Sequence, residues 1–461
     1  MRGSARRRGT ASELEARGVG WTVFVPSDPP QARGTSDEGP PPQAAKPARG
    51  RLKAGRKRAG STALALLWAG LAAGCGSQVA PATTPALQVQ TAPLSTSLVT
   101  PQGTWAVTVM GGSAAAENNF WQLFVRPAGA SRWSLATPQG VADNGGLVAT
   151  SGAGGSSLLV GFRPSQGLTF SPLATSSDTG RSWTPGLLDA GLADVPDAMA
   201  VAPSGQTLAL LHDGGIEAAA TTGAAAAGQW SRLATLAALA ASAPGRSCGL
   251  VAVNAVSFSQ NNVPMAAGSC VRRGVAGVFA ETGGTWQAAG PVLPAGFGGD
   301  QVQVLGLARA GLADRGGGNA ALLLAGNDLL AAWSDGGRWT VSAPVAAAAG
   351  DGPGDEPGDG PGDEHGVRAA GFGADGSLWV LLGGGRAETV SGPRASWQAL
   401  PSVPAGTQVL VPAGTATLAP GSGGYDALAV SGSRLTVWQL TGAAWAQAQV
   451  INVPIEYGSS S

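Results

Sequence analysis

The chain is poor in the residues that carry most enzyme chemistry. Its 461 residues include two histidines, two tyrosines and three cysteines, and residues 75–461 contain no lysine. Lysine-base and Schiff-base chemistry are therefore excluded from that part. A Ser-His-Asp arrangement would need His212 or His365. His212 has no Gly-x-Ser-x-Gly elbow beside it, and His365 ends a Gly/Pro/Asp-rich segment, so neither favours a nucleophilic triad.

Other catalytic signatures are also missing. The sequence has no phosphate-cradling loop and no Cys/His spacing typical of zinc. We therefore expect no catalytic residues, no cofactor and no metal. A pair of carboxylates, which a glycosidase needs, stays open because residues 75–461 contain 23 acidic residues.

The formal net charge of zero averages two different regions. Residues 1–74 carry 13 basic and 5 acidic residues, a balance of +8, whereas residues 75–461 carry 15 arginines and 23 acids, a balance of −8. An acidic body without visible basic clusters argues against nucleic-acid binding.

A short basic and apolar segment, residues 51–74, has the pattern of a secretory signal. Basic residues fill 51–58, and the apolar stretch 61–74 is too short to span a bilayer comfortably. It ends in Leu71-Ala72-Ala73-Gly74-Cys75, which resembles the bacterial lipobox, although Ala72 stands where that motif prefers leucine. The resemblance implies that Cys75 is lipidated and anchors the protein to the extracytoplasmic face of the cell membrane. A plain signal peptide or a short anchor is the alternative.

The segments around this signal have no globular pattern. Residues 1–50 are rich in Arg, Pro and Gly, and we interpret them as a disordered extension or as sequence upstream of the true start. Residues 75–94 are rich in Pro and Thr and uncharged, as expected for a tether. Downstream, Cys248 and Cys270 could form a disulfide in an oxidising compartment, on neighbouring strands of one repeat, or could stay free thiols.

Seven tryptophans recur at a mean spacing of 52 residues: Trp133, Trp183, Trp230, Trp286, Trp339, Trp397 and Trp445. Nearly all follow a short polar turn and open a strand-like stretch. A repeat of this length is typical of propellers and solenoids. Each repeat can be divided into four short strands separated by Gly, Ser and Asp. We therefore predict an all-β fold, a seven-bladed β-propeller of four-stranded antiparallel blades, over residues 95–452, followed by a tail, 453–461.

Four finer predictions belong to this division. The seventh repeat is expected to begin with a strand at 415–420, and the second strand of each repeat is expected to be the most deeply buried. Residues 232–245 form the one plausible helix, with strand plus loop as the alternative. The tryptophans are expected to hold the ring together rather than to bind sugar.

One segment points to a family. Ser176, Asp178, Gly180 and Trp183 match the Asp-box (BNR) pattern S/T-x-D-x-G-x-T-W, and residues 333–339 resemble a shortened copy. The pattern is similar to that of sialidase-like β-propellers, in which it is a folding device, so the resemblance implies a structural role for Asp178. It does not imply sialidase activity, because only Tyr425 and Tyr457 could serve as the nucleophile of that family and Tyr457 lies in the tail.

An acidic insert at 346–366 contains a twice-repeated octamer, 350–365, and lengthens the gap between Trp339 and Trp397. Its carboxylates could hold Ca²⁺ weakly, but their spacing matches no calcium loop, so we interpret it as a solvated acidic loop.

These observations predict a lipid-anchored, monomeric binding or scaffold module for a protein or glycan partner, with no nucleic acid. One alternative is a sialidase-like carbohydrate hydrolase with an acidic pair in the central channel. The other is a factor that resembles the seven-bladed lipoproteins assisting photosystem II assembly, and the sequence shows no arginine cluster that would favour it.

Overall fold

The structure is a computed structural model. It describes residues 97–111, 119–138, 147–151, 158–162, 173–185, 196–310, 318–347, 366–373, 375–413 and 424–454. All of these residues belong to one compact unit of the chain. The predictions for the N-terminal extension, the signal, Cys75, the tether, residues 348–365 of the acidic insert with His365, and Tyr457 lie outside the described residues.

The described residues form an all-β fold of consecutive antiparallel meanders, each with four strands in chain order. The first three meanders contain β1 (Ser97–Thr100), β2 (Gly103–Gly111), β3 (Asn119–Pro127), β4 (Ser134–Leu135); β5 (Leu147–Ser151), β6 (Leu158–Phe162), β7 (Leu173–Ser176), β8 (Thr184–Pro185); and β9 (Ala198–Val201), β10 (Thr207–Leu210), β11 (Ile216–Ala219), β12 (Ser231–Ala234).

The fourth and fifth meanders form one nine-stranded sheet. Its strands are β13 (Leu250–Phe258), β14 (Pro264–Cys270), β15 (Gly277–Thr282), β16 (Thr285–Ala288), β17 (Val302–Ala310), β18 (Gly318–Ala325), β19 (Asp328–Asp335), β20 (Arg338–Val341) and β21 (Val345–Ala346). Ser269 on β14 pairs with Gln303 on β17, which joins the two meanders, and β21 is an additional strand that pairs with β19. The sixth and seventh contain β22 (Val367–Phe372), β23 (Leu378–Leu382), β24 (Ala387–Val390), β25 (Gln398–Ala399); and β26 (Thr407–Pro412), β27 (Tyr425–Ser431), β28 (Arg434–Thr441), β29 (Ala444–Asn452).

Helical segments are short. They are α1 (Thr222–Ala226), α2 (Leu236–Ala241) and α3 (Ala243–Cys248), with single 3-10 turns at Ala295–Phe297 and Gly383–Gly385. The helix predicted at 232–245 is thus present as α2 and the start of α3, after the strand β12. The sequence reading missed α1.

The sequence explains the meanders locally. The second strands β6, β10, β18 and β23 are continuous apolar runs, and their described side chains are almost all buried, as predicted. Some hairpins turn on paired glycines with positive φ. Gly336 and Gly337, between β19 and β20, have φ of 54° and 89°. Two-residue hairpin turns favour positive φ, and glycine adopts it more readily than other residues do.

The hydrophobic core is divided among clusters that lie between successive meanders. For example, Leu208 of the third meander and Val256 of the fourth share a cluster, as do Leu322 of the fifth and Val380 of the sixth. A further cluster joins Phe124 of the first meander to Leu428 of the seventh. The apolar faces of the first and last meanders are therefore buried against each other.

The first strands make a closed series of contacts. Each first strand contacts the first strand of the next meander, from β1 to β5, β9, β13, β17, β22 and β26, and β26 contacts β1.

The prediction for the strand that begins the seventh meander was wrong. That strand is β26, because residues 407–412 pair with β27. The predicted stretch, 415–420, lies outside the described residues.

Candidate functional site

The residues that match the Asp-box pattern form a turn that is closed by its own side chains. Asp178 Oδ1 accepts hydrogen bonds from the backbone N–H groups of Arg181 (3.0 Å) and Ser182 (2.9 Å), and Oδ2 accepts one from the Ser182 hydroxyl at 2.6 Å. The Ser176 hydroxyl accepts the Gly180 N–H at 2.8 Å. The bonds from Ser182 lower the pKa of Asp178 to about 2. All of these partners belong to the turn, an arrangement that stabilises the turn rather than binding a ligand.

The tryptophans of the ladder link meanders. Trp183 donates its indole N–H to Ala136 O of the preceding meander at 2.8 Å, and Trp339 does the same to Ala289 O at 2.7 Å. Trp397 and Trp445 also donate to carbonyl groups of the meander before them. Trp230 instead bonds within its own meander, and the buried Trp133 is bonded to the seventh. Six of the seven indole N–H groups are thus bonded within the fold, which supports a structural role for these side chains.

The most deeply buried charges lie where the first meander contacts the seventh. Arg126 forms an ion pair with Asp426, which is 0% exposed, and also donates to Pro412 O at 2.8 Å. Trp133 donates to Asp426 Oδ2 at 2.9 Å, and the guanidinium lies 5.2 Å from the centre of the Trp133 ring. Burial lowers the pKa of Arg126 and raises the pKa of Asp426, and the attraction between the two charges opposes both shifts. The pair is enclosed in the core and has no access to a substrate.

The remaining candidate groups do not converge. His212 is 86% exposed, with Nδ1 3.5 Å from Asp197 Oδ2. Tyr425 is hydrogen bonded to the Thr389 hydroxyl at 2.6 Å, and burial raises the pKa of its phenol. In the described part of the chain, no group of three His, Cys, Asp or Glu side chains could hold a metal ion. No helix among the same residues is long and apolar enough to cross a bilayer.

A different site is built where the third meander leads into the fourth. The helix α2 begins at the cap Thr235, whose hydroxyl accepts the Ala238 N–H, and α3 begins at Ser242, which accepts the Gly245 N–H. The two helices meet closely at Gly245, where an added Cβ would lie 2.0 Å from Leu239 O. Only glycine allows this contact, which fixes the pair of helices on the core.

A disulfide joins this helical insert to the sheet. Cys248 at the end of α3 is bonded to Cys270 at the end of β14, with their Cα atoms 5.3 Å apart. Cys248 is thus helical, and the expectation that both cysteines lie on strands was wrong for it. Two backbone bonds reinforce the link, from Val271 N to Gly249 O and from Arg272 N to Cys248 O.

Three exposed arginines lie beside the disulfide. Arg246 is on α3, and Arg272 and Arg273 follow β14. The side chain of Arg246 donates to Ala241 O, that of Arg272 to Ser247 O (3.4 Å) and that of Arg273 to Gly299 O (2.7 Å). Within the described ranges no carboxylate pairs with any of the three, and their positive charge therefore faces solvent.

Exposed apolar side chains lie at the same end of the fourth meander. Val251 is 40% exposed, Val271 55% and Val292 92%. Val251 lies between residues that pair with Cys270 and Ser269, and Val292 bridges to Val275, which follows the arginines. We call this set the arginine–valine surface: Arg246, Arg272, Arg273, Val251, Val271 and Val292.

Sequence reasoning missed this surface. The expectation that the body lacks an arginine cluster was wrong, because the disulfide brings Arg246 beside Arg272 and Arg273 across more than twenty residues. The signal was present in part, since the pair Arg272-Arg273 follows Cys270, for which the sequence left a disulfide with Cys248 open.

No family model and no curated protein matches the chain. Solved structures with a similar course of the chain include YCF48 bound to D1 peptide, with 12% identity, 73% of this chain and 92% of that chain covered, and a TM-score of 0.41. YCF48 from Cyanidioschyzon merolae has 15% identity, 73% and 94% coverage and a TM-score of 0.41. A putative 6-phosphogluconolactonase from Bacteroides fragilis has 10% identity, 76% and 96% coverage and a TM-score of 0.46. With every one of these TM-scores below 0.5, no activity or partner is transferred from them.

Proposed function

We propose that the protein is a membrane-tethered, extracytoplasmic seven-bladed β-propeller that binds a protein partner through the arginine–valine surface. The observation that carries the proposal is the exposure of Val251, Val271 and Val292 at one braced end of the fourth meander. Exposed apolar side chains that cluster beside polar residues are typical of protein interaction sites.

The seven-bladed ring is supported by the closed series of contacts among first strands and by the core cluster between the first and seventh meanders. Closing the ring buries both faces of every sheet, which an isolated four-stranded sheet cannot do. In such a ring the binding surface lies on the end of one blade, held by strands on both sides.

Membrane tethering is supported by the sequence of residues 51–75 alone. The disulfide between Cys248 and Cys270 is consistent with the extracytoplasmic location, because structural disulfides persist in oxidising compartments. Lipidated at Cys75, a monomer would present the surface to partners at the membrane.

The hydrolase alternative is not favoured by any specific observation. Its acidic pair would stand on the wall of the central channel, which the first strands would line. The seven first strands, as far as they are described, contain neither aspartate nor glutamate.

The test places a photo-crosslinking amino acid at Val292 of the full-length chain, expressed in cells of its source, and identifies the captured protein. The same protein should co-purify with the unmodified chain. Its recovery should fall at least about tenfold in Val271→Asp, as is typical for a charge placed in the centre of an interface. It should persist in Val450→Asp, whose valine is 40% exposed on the seventh meander. Equal recovery from both variants would overturn the proposal.

A further inference from the structure

We infer that the arginine–valine surface recognises an acidic peptide segment whose carboxylates alternate with aliphatic side chains. This inference rests on the proposed function and names the chemistry of the partner at the same surface. Two observations support it. Arginines without a carboxylate partner among the described residues lie beside exposed valines, and the disulfide holds this end of the fourth meander in place.

Some other arginines of the protein are paired with carboxylates. Arg126 is paired with Asp426, and Arg232 with Glu217. Arg246, Arg272 and Arg273 donate only to backbone carbonyls in the part of the chain that the structure describes. Each guanidinium therefore keeps donors free for a carboxylate, the anion whose geometry it matches in a bidentate pair.

The valines require that the ligand also carry aliphatic groups. A strongly anionic ligand without apolar groups would leave Val271 and Val292 in water and gain only screened surface charge pairs, each of which contributes little. Burying the valines adds a gain that does not depend on salt. The ligand that uses the whole surface therefore alternates acidic and aliphatic side chains, as an extended peptide does.

The surface is also held rigid before binding. The disulfide ties α3 to β14, and the caps Thr235 and Ser242 fix the two helices. A surface that is already ordered loses little conformational entropy on binding. The turn that carries Arg272 and Arg273 is held by a further hydrogen bond, from the Gly274 N–H to the Asp300 carbonyl. The Asp300 carboxylate itself lies beside Gly326.

Nucleic acid is the competing polyanion, and the overall charge disfavours it. Residues 75–461 carry a balance of −8, which opposes the binding of an extended phosphate backbone. The experiment below distinguishes the two ligands directly.

The test measures binding of a fluorescent peptide of alternating glutamate and leucine to the purified full-length chain by anisotropy. Arg272→Gln and Arg273→Gln should each weaken binding up to about fivefold, as exposed charge pairs allow. Arg338→Gln, which removes an exposed arginine at the first residue of β20, at the opposite strand ends, should leave binding unchanged. Affinity should also fall as salt rises.

Two further peptides test the two halves of the inference. Replacing the glutamates by glutamine should abolish binding. A peptide with the sequence of residues 350–365, which is acidic and lacks aliphatic side chains other than those of proline, should bind at least about tenfold more weakly. Equal binding of either peptide, equal loss in Arg338→Gln, or displacement by a single-stranded oligonucleotide at equal charge would overturn the inference.

Failure of this inference is distinguishable from failure of the proposed function. If crosslinking at Val292 captures a partner whose recovery depends on Val271 but not on Arg272 or Arg273, the surface binds protein and the acidic chemistry is wrong. If no capture depends on Val271, the proposed function fails as well.

Discussion

The indole N–H of Trp133 donates a hydrogen bond to the carboxylate of Asp426 at 2.9 Å, and this bond joins the first meander to the seventh. Arg126 pairs with the same carboxylate oxygen, so two residues of the first meander hold one buried charge of the last. In the proposed ring this is the closure point, where no chain connection holds neighbouring blades together.

Removing one charge of this pair should be costly. Asp426→Asn leaves Arg126 buried without a counter-ion, and we expect the free energy of unfolding to fall by about 3–5 kcal/mol. Equilibrium denaturation in urea measures the change. The double variant Arg126→Met/Asp426→Leu should recover much of the loss, since apolar residues of similar volume replace a buried ion pair at little cost. A double variant as unstable as Asp426→Asn would contradict this interpretation.

The tryptophan links between meanders should contribute smaller, independent amounts. Trp339→Phe removes the donor to Ala289 O, and Trp445→Phe removes the donor to Pro401 O. Each change should lower the free energy of unfolding by about 1–2 kcal/mol, from the lost bond and the smaller ring. Because the two links belong to different interfaces, the double variant should be additive within about 0.5 kcal/mol. Variants as stable as the original chain would show that the ladder does not hold neighbouring meanders together.

The sequence predicted the structural features that depend on residues close to one another in the chain. The Asp-box spacing places Ser176, Asp178 and Gly180 in one turn, and the side-chain bonds of that turn follow from the spacing alone. The second strands were recognisable because a strand buried on both faces is a continuous apolar run.

Pairings between distant residues could not be predicted in this way. Arg126 and Asp426 are 300 residues apart, and nothing near either residue indicates its partner. The arginine–valine surface exists because a helical insert folds back onto β14. The error at 415–420 has a related cause, since two stretches before β27 have strand-like composition and only pairing selects 407–412.

The lipid anchor remains a prediction from residues 71–75, and one substitution tests it. Cys75→Ala should abolish incorporation of labelled fatty acid and release the protein from the membrane fraction, because the thiol is the acceptor of the lipid. Thr83→Ala, in the tether, should leave labelling unchanged. Labelling that persists in Cys75→Ala would contradict lipidation.

The disulfide should stabilise both the fold and the binding surface. Cys248→Ala/Cys270→Ala removes a link across a sequence separation of 22 residues and should cost about 3 kcal/mol in the free energy of unfolding. Both cysteines are buried, so alkylation under native conditions should be slow even after reduction.

The peptide of alternating glutamate and leucine should bind the Cys248→Ala/Cys270→Ala variant more weakly than the original chain at a temperature where both are folded. Unchanged affinity would show that the brace does not order the arginines.

The low pKa of Asp178 predicts a defined dependence of stability on acid. The folded pKa is about 2, below the usual value of about 3.9, because the carboxylate accepts hydrogen bonds from Ser182 and Arg181. A depressed carboxyl pKa contributes stability that is fully present above the unfolded pKa and is lost as pH falls through the folded pKa. Asp178→Asn should therefore melt at a lower temperature than the original chain at neutral pH. The difference should shrink between about pH 4 and pH 2. A difference in melting temperature that stays constant down to that acid range would show that the ionised carboxylate does not stabilise the turn.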